Sequence, residues 1–587
     1  MTPAGPFKSG RPSLSTGLPV PPAALSPERW ASDVAQLKST RHDMLVVGGG
    51  VVGAGVALDA VTRGLTVGII EAQDWASGTS SRSSKLIHGG LRYLQMLDFA
   101  LVKEALRERS ILLRTAPHLV RPIPFLYPLR HRIWERAYVG AGVALYDIMA
   151  RAYSGKVTVP MHRHLSKRRT LELAPSLRND KFIGSVKYYD AQVDDARLVL
   201  SLIRSAVSHG ALAANRVRAV GLLRNGTTVT GVKARAAETG EEFEISAKVV
   251  VSATGVWTED FEHLADLTRG IQLRPSKGIH LVIPRKCIDA SAALILQTEK
   301  SVLFVLPWHD HWIIGTTDTP WEYDLARPSA SSGDIEYLLA TLNAVLRTPV
   351  RKADIESLFV GLRPLIAGPS DKTTKLSREH AVNQLLPGLV LVSGGKYTTY
   401  RVMAKDTVDA AIEHAGLDAQ QSSTADFLIA GAEGFSSVWA DRHRFATLSK
   451  LSNTQMDRLL YRYGTLASEV IAAAANDPAG LSELGGSGGY LRAEAAYAVT
   501  AEGARHLDDV LARRTRISIE TVDRGLGAAA ETAAIMADQL GWDDDTIARE
   551  IEAYRASILA ELAAEQEAQE SAANDAISRT PPLLELP

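Results

Sequence analysis

Residues 43–71 read DMLVVGGGVVGAGVALDAVTRGLTVGIIE: an apolar run from Met44 to Val47, a glycine cluster, a stretch of small residues, and a second apolar run ending at Glu71. Strand, glycine turn, helix and second strand in that order make one βαβ unit. Within it Gly48, Gly50 and Gly53 satisfy the spacing GxGxxG. The first glycine permits the tight turn, the second lets a pyrophosphate approach the backbone, and the third lets helix and strand pack closely. Helix N–H groups then face the phosphates. Glu71, at the end of the second strand, stands where a carboxylate accepts hydrogen bonds from ribose hydroxyls. A glycine-rich turn by itself could be ligand-free; with strand, helix and acid all present the unit reads as a dinucleotide site.

The chain returns to this design twice. Residues 248–257, KVVVSATGVW, read as a buried strand running into a turn at Thr254 and Gly255. Residues 388–401, GLVLVSGGKYTTYR, repeat an apolar strand, paired glycines including Gly395, and a helix start. Both set backbone N–H groups at strand ends, suited to a phosphate or to the pyrimidine edge of a flavin. A simple NAD-binding domain has no need of them, so FAD is the expected cofactor.

Composition narrows the classes further. The chain has 587 residues, 46% hydrophobic and 22% charged, a globular balance with room for several cores. A net charge of −1 gives no general attraction to nucleic acid. The only cysteine, Cys287, excludes an internal disulfide or a cysteine redox pair and favours a reducing, cytosolic setting. No run approaches the roughly 18 apolar residues that cross a bilayer. The histidine pairs His162/His164 and His309/His311 lack a third ligand at a recognised spacing, so no metal is expected.

Five further motifs extend the picture: GTSSRSSKLIHGGLRYL (78–94), YYDAQVDDARLVL (188–200), PWHDHWIIGTTDT (307–319), GLRPL (361–365) and SGGKYTTYR (393–401), with LDDVLARRTRI (507–517) near the C-terminus. Together they closely resemble the FAD-dependent, quinone-reducing glycerol-3-phosphate dehydrogenases, over about residues 41–545. The resemblance implies an α/β, Rossmann-like FAD-binding fold of the glycine oxidase-like superfamily, with a mixed-sheet substrate domain and a C-terminal α-helical cap. It also implies oxidation of sn-glycerol 3-phosphate to dihydroxyacetone phosphate, with electrons passing to a membrane quinone. Thr79, Ser80, Ser84 and Lys85 are then expected at the pyrophosphate or isoalloxazine edge.

That reaction needs a cationic cradle for a dianionic phosphate, alignment of the C2–H bond, and a group to take the hydroxyl proton. Arg92, Arg363, Arg378 and Lys396 fall on the family's substrate-contacting positions, with Tyr93 as a phenolic donor. Arginine suits phosphate because its planar fork donates two parallel hydrogen bonds and stays charged. For the same reason Arg363 is a poor base and is expected to stabilise developing alkoxide charge instead. His88 and His280 are the candidate proton acceptors, His280 equally readable as a structural histidine. An amine or 2-hydroxy-acid oxidase on the same fold is the competing enzyme, although four cations exceed what one carboxylate demands. A regulatory flavin-binding protein is the competing non-enzyme.

Residues 1–40, dense in proline, are expected to form a flexible extension, and 41–425 the FAD-binding domain with its substrate sheet inserted at about 270–365. Residues 426–548 read as the helical cap, with Ala493–Arg514 and Thr521–Leu540 among its helical stretches, and 549–587 as a frayed helical and then flexible tail. Arg130 to Tyr153 mixes basic and aromatic residues in a pattern that fits either a lipid interface or the protein's own core. Peripheral attachment to the cytoplasmic face of the plasma membrane, and a homodimer, complete the expectation.

Overall fold

The computed structural model describes residues 23–90, 98–130, 134–154, 159–267, 270–297, 302–367 and 379–580. Its first sheet grows from the strand His42–Val47, which pairs in parallel with Val67–Glu71 on one side and Glu242–Ser252 on the other. Leu212–Asn215 and Leu389–Gly394 extend it in parallel, and His380–Leu386 closes one edge antiparallel. The central strands are apolar on both faces because both faces are covered. Helices Val51–Thr62, Asp195–Ser208 and Tyr400–Ala415 pack together over one. The other meets an antiparallel meander, Val217–Asn225 and Thr228–Ala236, that runs into the start of Glu242–Ser252.

The N-terminal expectation needs correction. Residues 1–22 lie outside the described residues, but Pro27–Ser39 is a helix against the first sheet. Ser26 caps it by accepting the Arg29 N–H, proline occupies its first turn, and Val34 and Leu37 are buried beneath it. The prolines before it obscured an ordinary helix start.

The substrate sheet is larger than an insertion at 270–365. Among the described residues it orders Thr319–Pro320, Leu273–Pro284, His311–Gly315, Val302–Trp308, Ala293–Gln297, Val120–Leu129, Gly184–Val193 and Leu86–Ile87. Ser357–Ile366 pairs beside Leu273–Pro284, and Arg163–Ser166 beside Gly184–Val193. Strands from residues 86–193 therefore supply one end of the sheet, joined to the other by the parallel pair Ala293–Gln297 and Val120–Leu129. Pairing partners so distant in sequence leave no local signal.

The C-terminal part is helical but not detached. Helix Arg492–Thr500 stops, Gly503 turns the chain at φ +68, and a π-helical turn at Asp509–Arg514 resumes, so Ala493–Arg514 is not one helix. Helix Leu526–Leu540 begins only after Gly525. The turn drives arginines into the first domain: Arg514 grips Asp74 with both terminal nitrogens at 2.6 and 2.7 Å, and Arg513 adds a third bond at 2.6 Å. Arg516 reaches Asp194 and Asp195, and Glu502 receives both terminal nitrogens of Arg197 at 2.6 Å. The frayed tail is also corrected, since helix Asp544–Ala564 runs through the expected boundary at 548 and helix Glu570–Ser578 docks on the substrate domain. There Glu570 pairs with the buried Lys277 at 2.8 Å.

Candidate active site

The two sheets enclose a cavity of about 700 Å³, within the range of small-molecule and cofactor sites. Gly48 sits at φ +114, and a Cβ there would lie 2.6 Å from the Ala253 carbonyl oxygen. A Cβ on Gly53 would lie 1.9 Å from the Gly48 oxygen, so the helix can rest on the strand only without it. Gly50 begins the helix, and Ser80 Oγ caps it by accepting the Val51 N–H at 2.9 Å. That leaves the Ser80 hydroxyl proton free to be donated elsewhere. Glu71 accepts the Gly49 N–H at 2.6 Å and the Gln73 N–H at 2.7 Å. Each carboxylate oxygen keeps a second lone pair for a ribose hydroxyl, and burial pushes the Glu71 carboxyl above the usual range. Gly255 at φ +60 and Gly395 at φ +77 line the same wall at the later turns.

Thr79, Ser84, His88, His280, Arg363 and Lys396 also line it. The Thr79 hydroxyl donates to the Leu362 carbonyl at 2.7 Å, tying the serine-rich loop to the Arg363 strand. Arg363 donates to Thr316 Oγ1 at 3.1 Å and to the Thr317 carbonyl at 3.2 Å. Gly278 stands opposite Gly361, diagonal to Arg363 in the strand pair, where a Cβ would crowd Thr316 Oγ1 and come within 2.6 Å of the guanidinium. The Lys396 ammonium is buried, and its charge acts on Glu104. His280 stacks on Phe359 at 4.6 Å and meets Ser84 Oγ through Nε2 at 2.8 Å. Burial, then Arg363 and Lys85, hold its pKa well below that of an ordinary histidine, so the ring stays neutral. Of the two histidine candidates, His280 is thus the one held as a fixed support for Ser84.

The model of FAD dependent oxidoreductases matches residues 43–410, and that of the C-terminal domain of alpha-glycerophosphate oxidase matches residues 422–547. Glycerol-3-phosphate dehydrogenase 2 of Mycobacterium tuberculosis is 50% identical over 543 residues, 92% of each chain. The chain belongs to the FAD-dependent glycerol-3-phosphate dehydrogenase family. The human mitochondrial glycerol-3-phosphate dehydrogenase is 35% identical across 94% of this chain and 78% of its own. The glycerol-3-phosphate dehydrogenase from Bacillus halodurans, solved in complex with FAD, superposes with a TM-score of 0.75 at 28% identity, covering 91% of this chain and 97% of that one.

Membership brings FAD, and the cavity fits it. Gly48, Gly50 and Gly53 leave room for a backbone approach, the Ser80-capped helix start would face its pyrophosphate, and Glu71 has lone pairs left for its ribose. The dehydrogenase-family site residues are otherwise unevenly placed. Arg92, Tyr93 and Arg378 lie outside the described residues. Lys85 is corrected: its side chain is fully buried, its Nζ donates to Asp195 at 2.9 Å and to the Ser81 carbonyl, and it does not line the cavity. A lysine in a serine-rich loop reads as an anion ligand until its partner, Asp195, is seen. Gly278, Thr316 and Thr317 were missed. Gly278 did carry a signal, because a lone glycine inside an apolar strand marks close approach of another group.

Proposed function

We propose that the chain oxidises sn-glycerol 3-phosphate to dihydroxyacetone phosphate, with electrons passed to a quinone. The observation that carries the reading is one cavity wall bearing the dinucleotide turn together with Arg363, Lys396 and His88, groups in excess of what FAD requires. FAD, when bound, supplies the hydride acceptor for C2. Arg363, held by Thr316 and Thr317, stabilises negative charge growing on the C2 oxygen. His88 takes the hydroxyl proton, since an imidazole titrates near neutrality and a guanidinium does not. Lys396 holds the phosphate, with Arg92, Arg378 and Tyr93 as the expected further donors. A 2-hydroxy-acid or amine oxidase needs only one carboxylate partner and leaves this excess of cations without a role.

Anaerobic addition of glycerol 3-phosphate is expected to bleach the flavin absorbance, while glycine and lactate leave it unchanged. In a Gly278→Ala protein the new methyl group displaces the Arg363 guanidinium without entering the dinucleotide turn. Flavin content should stay at the wild-type level while kcat/KM falls about tenfold or more, since small misplacements of a charge-stabilising group are costly. Bleaching by lactate and not by glycerol 3-phosphate would remove the reading.

The same reading includes peripheral attachment at the inner face of the plasma membrane. No helix of the described residues is long and apolar enough to cross a bilayer. Helix Trp134–Ser154 buries Val139, Val143, Tyr146 and Met149, yet Tyr138, Leu145 and Ile148 are 55%, 38% and 60% exposed. At that spacing the three share one stripe, and Arg151 lies one turn beyond Ile148 on the same helix. An apolar stripe with a basic neighbour suits an anionic lipid interface. Leu145→Asp/Ile148→Asp protein is expected to stay in the supernatant with phosphatidylglycerol vesicles that pellet the wild type; equal pelleting would end this part of the proposal.

A further inference from the structure

His88 lines the cavity and is followed by two glycines, and the peptide groups on either side of it are both held. On one side of its Cα, its own N–H donates to Thr398 Oγ1 at 3.2 Å. On the other, the Gly89 N–H donates to the Tyr146 hydroxyl oxygen at 2.9 Å and, more weakly, to Asp190 Oδ1 at 3.3 Å. With both flanking peptide planes held, the backbone angles at His88 are fixed, and so is the direction of its Cα–Cβ bond into the cavity. Gly89 is itself part of the fitting, because a Cβ there would come within 2.5 Å of the Tyr146 oxygen and 2.4 Å of Leu106.

The group that receives this amide is built from three distant segments. Tyr146 comes from helix Trp134–Ser154, Arg109 from helix Phe99–Thr115 and Asp190 from strand Gly184–Val193. The Tyr146 hydroxyl donates to Asp190 Oδ1 at 2.7 Å, and Arg109 donates to Asp190 at 2.5 Å and to the Tyr146 oxygen at 3.2 Å. All three are almost fully buried. Burying an ion pair and a phenol together seldom adds stability over apolar packing of the same volume, so their arrangement is better understood by what they hold. Among the described residues, the loop amide they hold is the one after His88. Burial, then Asp190, also keeps the phenol protonated, so it can donate to the carboxylate while accepting from Gly89.

We propose that Tyr146, fixed by Asp190 and Arg109, is a positioning residue for hydroxyl oxidation: it aims His88 at the substrate through the Gly89 amide. The proposal rests on His88 being the proton acceptor, and the two can be separated. Tyr146→Phe keeps the ring packing and removes only the hydroxyl. Its kcat with glycerol 3-phosphate is expected to fall about tenfold, with KM and flavin content within about twofold of wild type and a melting temperature lower by only a few degrees, from the hydrogen bonds that Asp190 and Gly89 lose. The limb of the pH profile that disappears in His88→Asn should be displaced in Tyr146→Phe. In the His88→Asn background, adding Tyr146→Phe should cost nothing more, because the group it aims is gone.

A wild-type rate and pH profile in Tyr146→Phe would overturn the proposal, as would an equal loss in both backgrounds. Parallel loss of flavin or a larger fall in melting temperature would reduce Tyr146 to a packing residue. His88→Asn with wild-type turnover would overturn the His88 reading itself, and that result is read without reference to Tyr146.

Discussion

A Gly53→Val protein is expected to be recovered without flavin and without turnover, the ratio of absorbance at the flavin band to that of the protein falling to background. The third glycine is the least replaceable of the turn because its approach to backbone is the tightest. A Cβ there would stand 1.9 Å from the Gly48 oxygen and 3.5 Å from the Ala253 side chain, each one residue past the end of one of two neighbouring parallel strands. Neither strand can withdraw without breaking the ladder between His42–Val47 and Glu242–Ser252. Gly50 offers a contrast, since its Cβ would meet only Ser80 Oγ at 3.1 Å, a side-chain atom that can rotate. Gly50→Ala should therefore fold and hold flavin more weakly, through loss of the Ser80 cap on Val51. Equal flavin retention in Gly53→Val and wild type would mean that helix Val51–Thr62 is not seated as described.

Arg514→Ala is expected to cost about 3–5 kcal/mol of stability, the usual penalty for stranding one partner of a buried ion pair. Both Arg514 and Asp74 are fully buried, and the guanidinium also donates to the Glu502 carbonyl at 3.0 Å. Asp74 lies three residues beyond Glu71, so the loss should reach the ribose end of the site. Urea unfolding would show a lower midpoint, and flavin would dissociate at lower denaturant than in the wild type. Arg514→Lys keeps the charge but not the two-pronged geometry, and should fall between the two. A midpoint unchanged in Arg514→Ala would show that Arg513, which also bonds Asp74, suffices alone.

The cofactor half of the site was legible because its requirements are local. Gly48, Gly255 and Gly395 occupy left-handed backbone that a side chain resists, and each follows an apolar strand, so residue type and position announce the turn. The catalytic half depended on resemblance, since nothing near Arg363 in sequence tells that Thr316, Thr317 and Gly278 shape its surroundings. Lys85 shows the limit from the other side. Its loop lines the cavity, but the destination of one side chain was decided by Asp195, at the start of a distant helix. The helix at Pro27–Ser39 was readable from Ser26, Pro27 and Glu28, and was lost in a proline-rich background. The docked tail was not readable at all, because Lys277 and Glu570 meet only after the substrate sheet has formed.

The arginines at 513, 514 and 516 also bear on the order in which the protein matures. Domains fold as units while the chain leaves the ribosome, and the dinucleotide fold, complete by residue 410, emerges well before these cations do. Until they arrive, Asp74 and Asp194 lack their arginine partners, and Lys85 is the cation that meets Asp195. The loop that carries Thr79 and Ser80 then lacks the bond that Arg516 gives to the Ser81 carbonyl. Flavin capture is accordingly expected only once these cations have docked, and nascent chains shortened before the RRTR run should leave the ribosome as apoprotein.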